Sequence, residues 1–276
     1  GVTWTTGDDY RLATGTAAYA MSMTVSGSTL LVAGVAYDTA GVSNGHWVVR
    51  RSTDEGTTWA TVDDYVYAAD KSSAATGIVA DGSTVYAVGS GGIASEMTHW
   101  VTRKSSDGGS TWVTVNDFDY SIGAVGIAPG ETAPTAVAVA GSTVYAVGSW
   151  NSSHWLVRKS TDSGDTWTTV DDYQYMPSTA YGGNSVVSIV AVGSTVYVLG
   201  EGTESPGTAQ HWLLRRSEDQ GSTWSVVDDF RYVGHASLSP MNLFAAKGAV
   251  YSVGSAMDTT STPNEHWLVQ RLSCVD

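Results

Sequence analysis

The 276-residue chain has 27 Asp and Glu against 13 Lys and Arg, a formal net charge of −14, so it repels phosphate backbones and anionic lipid and is expected to have no nucleic-acid partner and no membrane insertion. Eleven Trp and 14 Tyr beside three Phe and 31 Gly describe many short strands and tight turns, with almost no helix-forming stretch. A single cysteine, Cys274, rules out an internal disulfide, and no apolar run approaches the ~18 residues of a spanning helix.

The first element is "TWTTGDDY", Thr3 to Tyr10, which reads as an outer strand without the three that would precede it. It lacks the charged and apolar regions of a signal peptide, so a mature form or an excised domain is expected. After it the same order recurs: an apolar strand, a Gly-Ser turn, a second strand, a variable loop, a His-Trp strand, a tight turn and a last strand. In one copy these are "IVAV" from Ile189, "TVYVLG" from Thr195, "HWLLRRS" from His211 and "TWSVVDDF" from Thr223. The turns "STDEGTTW", "SSDGGSTW", "STDSGDTW" and "SEDQGSTW" begin at Ser52, Ser105, Ser160 and Ser217, spaced 53, 55 and 57 residues apart. That is a structural period, and four hairpin-joined strands of period two make one propeller blade. The fifth copy, "GSAMDTTSTPNEHWLVQRLS", ends the sequence without its last strand.

The expected fold is therefore all-β, a single five-bladed β-propeller of four-stranded antiparallel blades at about 18–65, 75–118, 134–173, 186–230 and 240–271. The strand at 3–10 completes the last blade, which removes two unpaired edges.

The S-x-D-x-G-x-T-W signature resembles the Asp box, the bacterial neuraminidase repeat of sialidase-like propellers. The resemblance implies that Asp54, Asp107, Asp162 and Asp219 serve folding, in turns on the face away from any active site. Each Asp can accept turn N–H groups, the Gly permits positive φ, and Trp59, Trp112, Trp167 and Trp224 are expected to pack on a neighbouring blade. The split copy departs from the motif at Leu272, Ser273 and Cys274, and Cys274 is expected to be a leftover thiol.

Five of the six histidines hold one repeat position at the start of the third strand. Counting outward from the turn sets His154 opposite Asp172, and likewise His46 with Asp64, His99 with Asp117 and His211 with Asp229; repeat equivalence sets His266 with Asp9. Asn116 replaces the first acidic position in the second copy while Asp117 keeps the one facing histidine. These pairs either pin the open end of each outer hairpin or form a ring of polar cups. In the cups Asp accepts and His donates to sugar hydroxyls, and a loop aromatic such as Trp150, Tyr37 or Tyr181 stacks on the sugar.

The sialidase resemblance implies a convergent arginine triad, an activated Tyr and an acid. Arg50, Arg103, Arg158 and Arg215 instead share one repeat position, and Arg51, Arg216 and Arg271 the next, leaving only Arg11 and Arg231 outside. Innermost strands such as "AMSMTV", "TGIVA" and "TAVAVA" carry no charge, so an acid-base pair, which needs carboxyls ~5–9.5 Å apart, would come from loops bearing Asp70, Asp119 or Glu131. Histidines about 55 residues apart do not form a metal cluster, though acidic loops such as "DTTSTPNE" could hold calcium. The expectation is a chain without catalytic residues, metal or cofactor. It is read as a multivalent, lectin-like carbohydrate-binding module, of the non-enzymatic lectin or adhesin type, on an extracellular or cell-surface protein and part of a larger one, with a glycan or cell-surface ligand. The alternatives are a protein-binding adhesin tip using the variable loops, and a glycoside hydrolase or sialidase with loop-borne catalytic residues.

Overall fold

A computed structural model describes residues 3–38, 44–69, 71–92, 99–119, 132–150, 154–175, 184–204, 210–232, 235–258 and 264–273. The strands form five consecutive antiparallel sheets, the architecture of a five-bladed β-propeller. The first sheet is β1 (Ala18–Ser26), β2 (Thr29–Tyr37), β3 (Gly45–Ser52) and β4 (Ala60–Tyr65), and the second is β5 (Ser73–Asp81), β6 (Thr84–Gly91), β7 (His99–Ser105) and β8 (Val113–Phe118). The third is β9 (Thr132–Ala140), β10 (Thr143–Trp150), β11 (His154–Ser160) and β12 (Thr168–Tyr173), and the fourth is β13 (Asn184–Val192), β14 (Thr195–Thr203), β15 (Gln210–Ser217) and β16 (Ser225–Phe230). The fifth holds three strands, β17 (His235–Ala246), β18 (Ala249–Asp258) and β19 (Glu265–Ser273). Two compact units divide the chain, 1–139 with 164–166, and 140–163 with 167–276.

Second strands such as β6 are buried almost end to end, because both faces are covered, and they read as continuous apolar runs rather than alternating ones. Outer strands such as β8 are exposed or half-buried along their length. Within each unit the sheets are joined by the tryptophan of the His-Trp pair. A Cβ on Gly89 would meet Trp47 Cζ3 at 2.5 Å, one on Gly200 would meet Trp155 Cζ2 at 2.6 Å, and one on Gly254 would meet Trp212 Cζ2 at 2.8 Å. A bare glycine on one sheet thus receives the indole of the sheet before it, and Trp47, Trp155 and Trp212 are 0–1 % exposed. Around them lie Leu31, Val49, Ile78 and Val85 in the first unit and Leu199, Leu214, Leu243 and Val250 in the second.

A second, polar joint repeats alongside. Arg103 makes a bidentate pair with Asp63 at 2.7 Å under the ring of Tyr65, and Arg215 does the same with Asp171 at 2.9–3.0 Å under Tyr173. Burial pushes the Asp63 and Asp171 carboxyls up while the guanidinium draws them down.

The strand expected at 3–10 is not formed. The segment carries no strand, Trp4 is fully exposed, and Asp8 and Tyr10 instead engage Arg50 of β3, by a bidentate pair at 2.8–2.9 Å and a ring 4.3 Å from the guanidinium carbon. This is the Asp-Arg-Tyr joint of the other sheets, and it holds the segment by its side chains rather than by a backbone ladder. Trp267 on β19 is 85 % exposed, unlike its four repeat equivalents.

Candidate functional site

Each third and fourth strand form a hairpin with a tight-turn end and an open end, and the two ends carry different chemistry. At the turn, Ser52 Oγ donates to Asp54 Oδ1 at 2.8 Å, and Thr58 donates to the same carboxylate from its amide at 2.8 Å and its hydroxyl at 2.7 Å. Asp107 and Asp219 are bound in the same way by Thr111 and Thr223, and Asp162 accepts from Ser160 at 2.7 Å. The Thr58 hydroxyl and amide hold the Asp54 carboxyl at about 2, and the Thr111 and Thr223 bonds hold Asp107 and Asp219 well below the carboxylate range. The indole N–H of Trp59, Trp112 and Trp224 returns to its own turn, on Gly56 O, Gly109 O and Gly221 O at 3.0–3.2 Å, and the Trp112 ring also reaches the core around Leu31. These carboxylates are occupied by the turn they build.

The turn also needs two successive left-handed residues. Glu55, Ser163 and Gln220 stand at φ of 57–59° ahead of Gly56, Gly164 and Gly221, and the second copy uses Gly108 and Gly109. Only the second glycine is legible as a repeat feature.

At the open end the histidine and aspartate side chains meet as expected: His46–Asp64 at 2.7 Å, His99–Asp117 and His154–Asp172 at 2.6 Å, and His211–Asp229 at 2.5 Å, each through Nδ1. Their backbone register differs from the count. A bulge between Val157 and Arg158 sets Leu156 opposite Asp172, and the same shift recurs in the other hairpins, so the imidazole reaches its carboxylate diagonally. His266 pairs instead with Asp258 of its own sheet at 3.5 Å, and Asp9 lies in the strandless segment beside Asp8.

A tyrosine joins these pairs that the sequence reading missed. Tyr67 OH lies 2.9 Å from His99 Nδ1 and 3.1 Å from Asp117 Oδ2, and Tyr175 OH lies 3.0 Å from His211 Nδ1 and 3.2 Å from Asp229 Oδ2. Burial and the nearby Asp117 push the Tyr67 hydroxyl up to about 12, and burial with Asp229 pushes Tyr175 higher still. Tyr232 stacks on His266 at 6.0 Å. The signal was present: each of these tyrosines stands two residues after the aromatic that closes an outer strand.

Trp150 is not a sugar platform. It ends β10 at 3 % exposure, with its ring edge-on to His154 at 4.8 Å, because it fills the space beneath that imidazole. Tyr37 packs edge-on against Tyr19 at 6.4 Å. Tyr181, Asp70, Glu131 and Cys274 lie outside the described residues, and Asp119 follows β8.

Burial pushes up the carboxyls of Asp63, Asp171, Asp228 and Glu201. The first two are gripped by arginines and Asp228 is on an outer strand. Glu201 alone is on a strand paired directly with an innermost strand, at the open end. It stands opposite Ser185 of β13, whose hydroxyl donates to its Oε1 at 2.9 Å, and burial raises its carboxyl against that bond.

Glu201 also breaks the repeat. Its register equivalents are Val35, Ser90, Ser149 and Ser255. Ser149 has a structural task, accepting the Val186 N–H of the next sheet at 2.9 Å. One sheet further on, the residue opposite the glycine in Val186's place is Pro240, which has no N–H to offer. Glu201 is thereby released from that duty, and its carboxyl bonds only Ser185 among the described residues. In sequence it is one acid on a second strand, away from the innermost strands on which an acid-base pair is expected.

No protein-family model matches the chain, and a search of curated proteins gives no match either. Solved structures do share the fold. A sialidase of Trypanosoma rangeli, in complex with 2,3-difluorosialic acid as a covalent intermediate, is 13 % identical with a TM-score of 0.59, over 87 % of this chain and 46 % of its own. An α-L-arabinanase of Penicillium chrysogenum, complexed with arabinobiose, is 13 % identical at 0.56, over 98 % and 83 %. An exo-β-1,3-galactanase from Clostridium thermocellum is 12 % identical at 0.51, over 95 % and 60 %. The chain thus spans about half the length of the sialidase. At these identities the likeness establishes the sialidase-like propeller fold. The expectation of a chain without enzymatic activity is corrected at the same point: these neighbours are by name enzymes that act on sugars, a sialidase, a galactanase and an arabinanase.

Proposed function

We propose that this chain acts on carbohydrate as a glycoside hydrolase, with Glu201 as the proton donor. The observation that carries the reading is a half-buried, raised carboxyl at the open end of β14, in a repeat position that serine fills in three of the other four sheets and valine in the fourth, and spared the inter-sheet bond that Ser149 makes. A general acid of a glycosidase has to be protonated at working pH, and burial is what keeps a carboxyl so. Its proton passes to the glycosidic oxygen as the bond to the anomeric carbon breaks, that oxygen leaves with the bonding electrons as a hydroxyl, and a water oxygen bonds the anomeric carbon and gives up a proton, so that Glu201 is reprotonated over the cycle. Ser185 orients the carboxyl through the oxygen it binds. The fold shared with a sialidase, an arabinanase and a galactanase supports the same reaction class. The repeated turns are read as Asp boxes, and the setting as extracellular or cell-surface, where glycans stand.

The test is hydrolysis of a panel of aryl glycosides and polysaccharides by the full chain and by Glu201→Gln. Turnover is expected from the parent, falling on the alkaline side as Glu201 loses its proton, and reduced roughly 10²–10⁴-fold in the variant. Turnover unchanged by the substitution would remove Glu201 from the reaction.

A second reading has its own observation. The clusters Tyr67–His99–Asp117 and Tyr175–His211–Asp229 repeat one arrangement of hydroxyl, imidazole and a carboxylate that is 43–45 % exposed, suited to sugar hydroxyls at several points of the chain. Glycan-array binding with a stoichiometry above one per chain supports it; a single site per chain counts against it.

A further inference from the structure

We infer that the glycan taken at the Glu201 site is neutral rather than a sialoside, uronide or sulfated sugar. This rests on the reading of Glu201 as proton donor and adds the substrate class.

The open end of the second unit, where β12, β14, β16 and β18 finish and β19 begins, carries Asp172, Glu201, Glu204, Asp229, Asp258 and Glu265. Four histidines stand at that end: His154 on Asp172, His266 on Asp258, His211 between Asp229 at 2.5 Å and Glu204 at 3.2 Å, and His235, which begins β17 opposite Asp258 in the ladder. The one Arg or Lys at that end among the described residues is Arg231, directly after β16. The unit's other cations are committed or distant. Arg215 is locked on Asp171, Arg216 pairs with Glu218 at the turn, Arg158 is buried along β11, and Lys159, Lys247 and Arg271 belong to the opposite end of their strands.

Like charges a few ångströms apart repel several-fold more strongly at the effective dielectric of a protein surface than in bulk water, and half as strongly at twice the distance. A substrate carboxylate placed to bring its glycosidic oxygen to Glu201 enters among these acids with one arginine to meet it. Before contact it also meets the field of a chain at −14. Hydroxyls suit the same surroundings, since carboxylate and imidazole acceptors can each bind one without adding charge.

The experiment is calorimetric titration of the full chain, parent and Glu201→Gln, with neutral oligosaccharides (arabinan and β-1,3-galactan fragments) and with sialyllactose and oligogalacturonate, at low and at physiological salt. The neutral sugars are expected to bind at least tenfold tighter than the anionic ones, with no salt dependence, while any anionic binding strengthens as salt screens repulsion. An anionic sugar that binds as well as the neutral ones, or the absence of neutral binding, overturns the inference. Neutral binding retained alongside turnover that ignores Glu201→Gln would instead overturn the proton-donor reading alone, so the two failures are separable.

Discussion

The two ends of the third-to-fourth-strand hairpin carry carboxylates ten residues apart in sequence and opposite in kind. Asp54 at the turn accepts three hydrogen bonds from Ser52 and Thr58, and the network recurs at Asp107 and Asp219 with distances matching to within 0.1 Å. Asp64 and its equivalents at the open end are partly exposed and paired to imidazoles, and their surroundings differ from sheet to sheet. His99 and His211 add a tyrosine, His154 a tryptophan, and the fourth sheet adds Glu201 and Glu204. Repetition marks what each sheet needs to fold by itself; chemistry is found where one copy departs from the rest.

The sharpest way to break that contrast uses one repeat position in two sheets. Glu201→Gln is expected to cost roughly 10²–10⁴ in kcat/KM and leave the fold intact, whereas Ser149→Ala should leave kcat unchanged and cost about 1 kcal/mol for the orphaned Val186 N–H, read by denaturant unfolding. Removing Asp171 with Asp171→Ala strands the buried Arg215 guanidinium and is expected to cost about 3–5 kcal/mol. At the turn end, Asp219→Ala should lower Tm without changing turnover per folded molecule.

Acid should separate the two ends further. The folded pKa of Asp54, Asp107 and Asp219 lies below the unfolded value, so their contribution is present above an unfolded pKa of about 3.9 and is lost as pH falls toward 2. Glu201 has the reverse sign: with its folded pKa above the unfolded one, stability falls as pH rises from the unfolded value and the loss is complete above the folded one, and Glu201→Gln is expected to raise Tm at neutral pH while flattening that limb. The smallest effect is Gln220→Gly, which should stabilise by about 0.5 kcal/mol: relief of roughly 1 kcal/mol at a left-handed residue, less the added freedom of the unfolded chain.

Much of this was legible in the linear chain. A turn signature recurring at a fixed spacing, and a His-Trp strand following a variable loop, are local regularities, and period-two strands joined by short turns leave little choice of sheet. The His-Asp partners were also legible, although the bulge beside Arg50, Arg103, Arg158 and Arg215 was not; it shifts the ladder without altering any residue type. Glu201 was hidden because only a register against Ser185, and a proline standing where Val186 stands one sheet earlier, show that its carboxyl is spared.

The sequence by itself determined the sheets, their order and the turn network, because these depend on neighbours within some twenty residues. Tertiary structure decided which tryptophans are buried, that residues 3–10 hold Arg50 by side chains rather than joining a sheet, and that the Glu201 carboxyl is sheltered beside Ser185. Burial and desolvation come from the neighbouring sheet, as where Arg103 meets Asp63 40 positions away and Arg215 meets Asp171 44 away, and no local pattern encodes them.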